Sequence, residues 1–289
     1  MITMKKLFAY ALSAVALLAV SCNNKNNPVQ PSAPATKDLA QVIKFSAPVT
    51  IGAYSIHSIE LTEASRFIAK YTQTKAVLSE MDVLFDKFTF SGGMFSLEGL
   101  GTMKIEGNTV TLDPSTAGGS PVQAQATITP TSSSDLNVQS ASRNWKITKV
   151  IVGITGKTDA GKDVGGEKIF SSLDLGEVAK WAKLQGLTIS DEDMETLAKY
   201  NVTEVCLTAA GSFVVDFTQA KPIHGNFNLA TTNLSINVGK DQIPFLADGK
   251  ITGTIQFSGN NCTVEVKTGI VYNDVNYNAT LAIALTEIQ

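Results

Sequence analysis

Side chains that commonly do chemistry are scarce in this chain of 289 residues. It has two histidines, His57 and His224, and three cysteines, Cys22, Cys206 and Cys262. No Gly-x-Ser-x-Gly elbow, His-Glu-x-x-His or Cys-x-x-Cys occurs, and two histidines cannot build a three-ligand zinc site without carboxylates. His57, between Ile56 and Ser58, reads as a strand-edge residue; His224, after Pro222 and Ile223, reads as a turn residue. Both suit surface or capping roles better than general-base catalysis. Glycoside hydrolysis needs two carboxylates paired in space, and nothing in the sequence singles out such a pair. The expectation is a non-enzymatic protein with no catalytic residue, no metal and no cofactor.

Two further patterns invite a chemical reading. Gly156-Lys157-Thr158 follows an apolar strand and would close a phosphate-binding loop, but that loop needs glycine where Ile151 stands, and no helical pattern follows. Asp159, Asp163 and Glu167 lack the alternate spacing and closing glutamate of a calcium loop. Asp191, Glu192, Asp193 and Glu195 cluster behind Ser190, where carboxylates compensate the positive end of a helix. These acids read as solvated faces.

Lys5 and Lys6 precede an uncharged apolar run, Leu7 to Val20, which is long enough for a secretory signal and too short to cross a bilayer. Ala19-Val20-Ser21-Cys22 resembles the lipobox of bacterial lipoproteins, in which the cysteine is acylated and becomes the mature N-terminus. Residues 1–21 are therefore expected to be removed, with lipidation at Cys22 and two or three acyl chains holding the protein stably on a membrane. Residues 22–37, rich in Asn, Pro, Ser and Ala without apolar periodicity, read as a disordered tether. In lipoproteins of this kind, Asp after the cysteine favours inner-membrane retention and a nearby acidic run favours surface display. Asn23 and Asn24 offer neither, so the expectation is the cell envelope, at the outer membrane, with the facing side open. From Cys22 onward the chain carries 21 basic and 26 acidic residues, a balance that disfavours nucleic acid as a partner.

The elements that must position any site are mainly strands. From Ser55 onward apolar residues alternate with period two, as half-buried antiparallel strands require. Ile59 and Leu61 lead into a turn at 62–65, and Phe67, Ala69 and Tyr71 lead out. Short strands follow around Gly92-Gly93, Gly99, Gly101 and Gly107-Asn108, with another at 122–129. This gives an N-terminal β module over 38–135. A connector at 131–135 and a boundary near 130–142 precede a second module, 140–289, opening with the strand Trp145 to Val152 and a glycine-rich loop at 153–167. Two helices are expected within about residues 172–200, the first from Asp174 to Gln185 and stopped at Gly186, the second capped by Ser190. Beyond Asn201 the faces Phe213/Val215/Phe217, Leu234/Ile236/Val238, Ile255/Phe257, Cys262/Val264/Val266 and Tyr277/Ala279/Leu281/Ile283/Leu285 describe a meander, turning at Asp248-Gly249 and Gly259-Asn260-Asn261. The fold class is mainly β: antiparallel barrel-like sheets with a small inserted helical pair. Cys206 and Cys262, each on an expected strand, read as buried free thiols rather than a disulfide.

Arg143-Asn144-Trp145-Lys146-Ile147, the helix Leu175-Gly176-Glu177-Val178-Ala179-Lys180-Trp181, and Ala210-Gly211-Ser212-Phe213-Val214-Val215 resemble lipocalin-like, calycin-type lipoproteins of Bacteroides and its relatives, a family without an established activity. The Gly-x-Trp signature of true lipocalins is missing, because Ser142 stands at the glycine position. What the resemblance implies is a lipocalin-like barrel over 140–289, and the consistent alternation of its strands, in a fold type that binds at the barrel mouth, makes a small apolar ligand the expectation. Phe213, Phe217, Phe227 and Tyr277 would line that mouth, with the Trp181 helix at one end. The alternative is a structural or interaction subunit of a surface glycan-uptake or adhesion complex, with an envelope protein as partner.

Overall fold

The computed structural model describes residues 37–74, 81–114, 119–157, 163–185, 189–238, 242, 250–272 and 275–288. The leader, Cys22, the tether, Thr158, Asp159, Gly186 and the Asp248-Gly249 turn lie outside the described residues. The chain divides into two compact units, the first holding residues 32–134 with 208–210, the second 135–207 and 211–289.

The first unit is a closed antiparallel barrel of eight strands in sequence order: β1 Gln41–Ile51, β2 Tyr54–Leu61, β3 Arg66–Gln73, β4 Asp82–Ser91, β5 Met94–Leu97, β6 Gly101–Glu106, β7 Thr109–Asp113 and β8 Val122–Pro130. Closure is made by β1 against β8, with Ile43 opposite Ile128. Alternation places Ile43, Ile56, Ile59, Leu61, Phe67, Met103 and Val110 in one apolar core. The sequence pattern begins too late here, because β1 is interrupted: its pairing with β2 shifts between Lys44 and Val49, and Pro48, which has no N–H to give a ladder, sits in that irregularity. Gly101, at φ +123, shows why glycine is needed between β5 and β6, since a Cβ there would sit 2.2 Å from the Asp113 carbonyl oxygen.

The second unit contains β9 Asn144–Lys157, β10 Asp163–Phe170, β11 Val202–Leu207, β12 Ser212–Phe217, β13 Ile223–Ala230, β14 Asn233–Val238, β15 Lys250–Ser258, β16 Asn261–Tyr272 and β17 Val275–Glu287. β9 pairs along its length with β17, and at Asn144 and Trp145 with β11, which closes β9 and β11–β17 into an eight-stranded antiparallel ring. β10 is a ninth strand, hairpinned onto the far half of β9 from Val150 to Lys157. The expected glycine-rich loop at 153–167 is thus mostly strand. Gly165, at φ +108, is placed where β9 comes so near that a Cβ would lie 1.9 Å from the Ile154 carbonyl oxygen, so this glycine marks close strand approach rather than a turn.

Three α-helices occur among the described residues, α1 Leu136–Ala141, α2 Leu175–Leu184 and α3 Asp191–Leu197. α1 follows the expected connector at 131–135, which is neither helix nor strand, and falls within the expected boundary at 130–142. Asp135 caps it, accepting from the N–H groups of Asn137 and Val138, and one and a half turns are too few to show a period. α2 and α3 match the expected helical pair. Asp174 caps α2 through the Glu177 N–H at 3.1 Å, and Ser190 caps α3 through the Asp193 N–H at 3.1 Å.

Candidate functional site

The ring of the second unit encloses an interior that the inward face of every strand makes apolar. Phe213, Val215 and Phe217 of β12 join Phe227 and Leu229 of β13, Ile236 of β14, Val264 of β16 and Ile283 of β17 in one cluster. Room for the Phe213 ring comes from its cross-strand partner, Gly225. A Cβ at Gly225 would meet that ring at 2.8 Å and the Asn237 carbonyl oxygen at 2.1 Å. Trp145, fully buried at the start of β9, stacks on Phe257 with centroids 6.3 Å apart and donates its indole N–H to the Ala141 carbonyl of α1 at 3.0 Å. Next to it Arg143 Nη1 donates to Glu287 Oε1 at 2.6 Å, and Arg143 Nε donates to the Ser140 carbonyl. α1, the indole and this ion pair therefore close the ring where β9 starts and β17 ends. Sequence reading did not find the Arg143–Glu287 pair, because 144 residues separate its members.

Packing is not uniform along the ring. Ile255, Val264, Ile283 and Val150 are successive cross-strand partners, exposed by 0–1%. Two residues further from Trp145, the layer Val266, Leu281 and Val152 keeps 5–7%. The first layer is sealed by protein atoms on every side. The second retains a trace of accessible surface.

Of the residues expected to line a site, Phe213, Phe217, Phe227 and Trp181 all enter the same apolar cluster. Phe213 is wholly buried and packed, whereas Phe227 and Trp181 keep small exposures. Trp181 lies on α2 with its ring edge-on to Phe170 of β10, 6.3 Å between centroids, so that helix packs against the ninth strand. Tyr277 pairs by its backbone with Ile270 and Gly156, and its side chain lies outside the described residues. Cys206 and Cys262 are both buried and free of a disulfide.

The remaining chemical patterns fall into structural positions. Gly156 belongs to the β9 ladder, opposite Val164 and Tyr277, so its backbone is committed to the sheet and does not cradle a phosphate. His57 meets the Thr72 hydroxyl across β2 and β3 at 3.1 Å. The backbone N–H of His224 donates to Gln242 Oε1 at 2.7 Å. Among the described residues, no group of three or more His, Cys, Asp or Glu side chains is arranged to hold a metal ion.

One titratable feature escaped the sequence reading. In the first unit the β2–β3 turn buries two carboxylates, Glu60 and Glu63. Burial pushes the Glu63 carboxyl up to about 7, and the neighbouring Glu60 charge adds to that; bonds from its own N–H, the Ala209 N–H and the Thr131 hydroxyl pull the other way. The turn is fixed by Thr62, whose hydroxyl accepts from the N–H groups of Ala64 and Arg66, and by Ser65 at φ 58. A lone glutamate among apolar alternation gives no sequence signal of such an environment.

No protein-family model matches this chain, and no curated protein matches it. What stands on the geometry is an antiparallel barrel consistent with a calycin-like fold.

Proposed function

We propose that this protein is a non-enzymatic lipoprotein of the cell envelope, held at the outer membrane through acylated Cys22, in which the second barrel is a lipocalin-like module for a small apolar ligand, as in the Bacteroides-type lipoproteins its sequence resembles. The observation that carries the binding reading is the closed eight-stranded ring with an apolar interior, capped at one end by Trp145 and Arg143–Glu287. Barrels of this strand number hold either packed side chains or one small ligand, and a ligand would enter at the end of the ring away from Trp145. Phe217, Phe227 and Trp181 are then its aromatic contacts, with the wholly buried Phe213 as packed support.

Titration with a panel of apolar probes, read by intrinsic tryptophan fluorescence, tests this. Saturable change is expected, and Ala279→Phe should abolish it, because Ala279 lies opposite Ile154, next along the ring from Leu281. No saturable change with any probe would overturn the binding reading. The sealed layer around Val150 then favours the second reading, a structural or interaction subunit of a glycan-uptake or adhesion complex. Anchoring is tested separately. Cys22→Ala should move the protein from the membrane to the soluble fraction, since no described helix is long and apolar enough to cross a membrane.

A further inference from the structure

The hairpin between β4 and β5 carries an unusual tip. From Phe88 to Leu97 the sequence FTFSGGMFSL has no charge, although Asp86, Lys87 and Glu98 flank it. Gly92 and Gly93, at φ 59 and 79, make the turn without side chains, leaving Phe90 and Met94 as its apolar corners. Phe90 faces Phe95 across the hairpin, with 4.6 Å between ring centroids, and is still 43% exposed; Met94, opposite Ser91 and Lys104, is 45% exposed. Solvent exposure of two large apolar side chains on a charge-free tip is a cost that a partner would relieve.

Topology says which way the tip points. In an up-and-down antiparallel barrel the starts of odd strands and the ends of even strands share one rim. The start of β1 at Gln41 and the end of β4 at Ser91 therefore lie on the same rim of the first barrel. Fourteen residues lie between Cys22 and Lys37, where the described chain begins, so the rim on which the chain arrives stays within about 50 Å of an acylated Cys22 at full extension. Two half-exposed side chains present on the order of 200 Å², well short of the ~800 Å² per partner usual in specific protein complexes. A tethered protein needs far less, because its anchor already supplies the affinity.

We infer that the Phe90–Met94 hairpin tip dips into the interfacial region of the bilayer that carries the lipid anchor. The inference rests on the anchoring reading above. Phenylalanine and methionine enter the acyl boundary, the two glycines leave backbone groups at headgroup depth, and the flanking Lys87 and Lys104 stay in water with their acidic neighbours.

The test uses the acylated full chain in phosphatidylethanolamine–phosphatidylglycerol vesicles. A polarity-sensitive fluorophore is placed on Met94→Cys, and for comparison on Thr74→Cys, which follows β3 at the opposite rim. Cys206 and Cys262 are buried, so the introduced thiol is the one labelled. The label at 94 should shift to the blue and be quenched by nitroxide-bearing acyl chains; the label at 74 should do neither. Adding Phe90→Asp to the Met94→Cys variant should return the emission to its value in water, which shows that the protein's own tip, and not the fluorophore, drives insertion. Emission at 94 equal to that at 74, with the protein still floating with vesicles, would overturn the inference and leave the anchor standing. A label wet on vesicles but shielded in intact envelopes would overturn it in favour of a protein partner. A chain that neither floats nor carries acyl mass on Cys22 would remove the anchoring reading, and this inference with it.

Discussion

Replacing Glu63 with glutamine should change how the stability of the first barrel depends on pH. In the folded chain burial holds this carboxyl at about 7, against 4.5 for an unperturbed glutamate. An acid whose pKa rises on folding binds its proton more tightly in the native state. Its favourable share of stability is therefore complete below 4.5 and is lost as the pH climbs through 7. At 1.36 kcal/mol per pH unit, the interval is worth about 3 kcal/mol. The magnitude is credible because Glu63 is only 5% exposed and Glu60, equally buried beside it, adds repulsion when both are ionised. Urea unfolding of the wild type and Glu63→Gln at pH 4.5, 6, 7 and 8.5 isolates the effect, since titrating groups that do not interact with Glu63 cancel in the difference. The wild type should lose up to about 3 kcal/mol relative to the variant between pH 4.5 and 8.5, with most of the fall complete once the pH has passed 7. A difference that stays flat, or that favours the wild type as pH rises, would refute the reasoning and mean that the donors around Glu63 outweigh its burial.

Further expectations can be checked by the same unfolding measurements. Gly225→Ala should cost about 1–3 kcal/mol in the second barrel by overpacking, because the added methyl meets the Asn237 carbonyl and the Phe213 ring. Arg143→Ala should cost about 1.5–3 kcal/mol by leaving the partly buried Glu287 carboxylate without its ion-pair partner, whereas replacing both by apolar residues of similar volume should cost far less. Asp174→Ala should cost about 1 kcal/mol by uncapping α2, and Asp174→Asn should recover most of it. In the acylated protein, thiol titration without reductant should find Cys206 and Cys262 unreactive when folded and both reactive when unfolded; no free thiol in the unfolded chain would contradict the structure.

Much of the architecture was legible because barrel strands obey one rule that sequence displays directly. Where a strand is continuous and one face is buried, as with Leu281, Ile283 and Leu285 of β17, alternation marks it. The illegible elements are those in which a second constraint overrides that rule. β1 carries Pro48 inside a register shift, and β10 carries Gly165-Gly166 where it crowds β9, so residues that usually punctuate strands are here parts of them. α1 is too short to repeat, and its only sign was Asp135 before an unremarkable run. Ring closure depends on β9 pairing with β17 and on Arg143 reaching Glu287, contacts between the two ends of the unit that no local window contains.

The candidate site is legible only in part, for a related reason. Alternation says which side chains face the interior, and it is identical whether the interior is filled or open. What separates the outcomes is how side-chain volumes add up around each layer of the ring, which requires knowing the partners in register. Phe213 illustrates this. By sequence it is an aromatic pointing inward, equally suited to lining a pocket or filling one; opposite Gly225 it acquires the space its ring occupies, and the layer is filled.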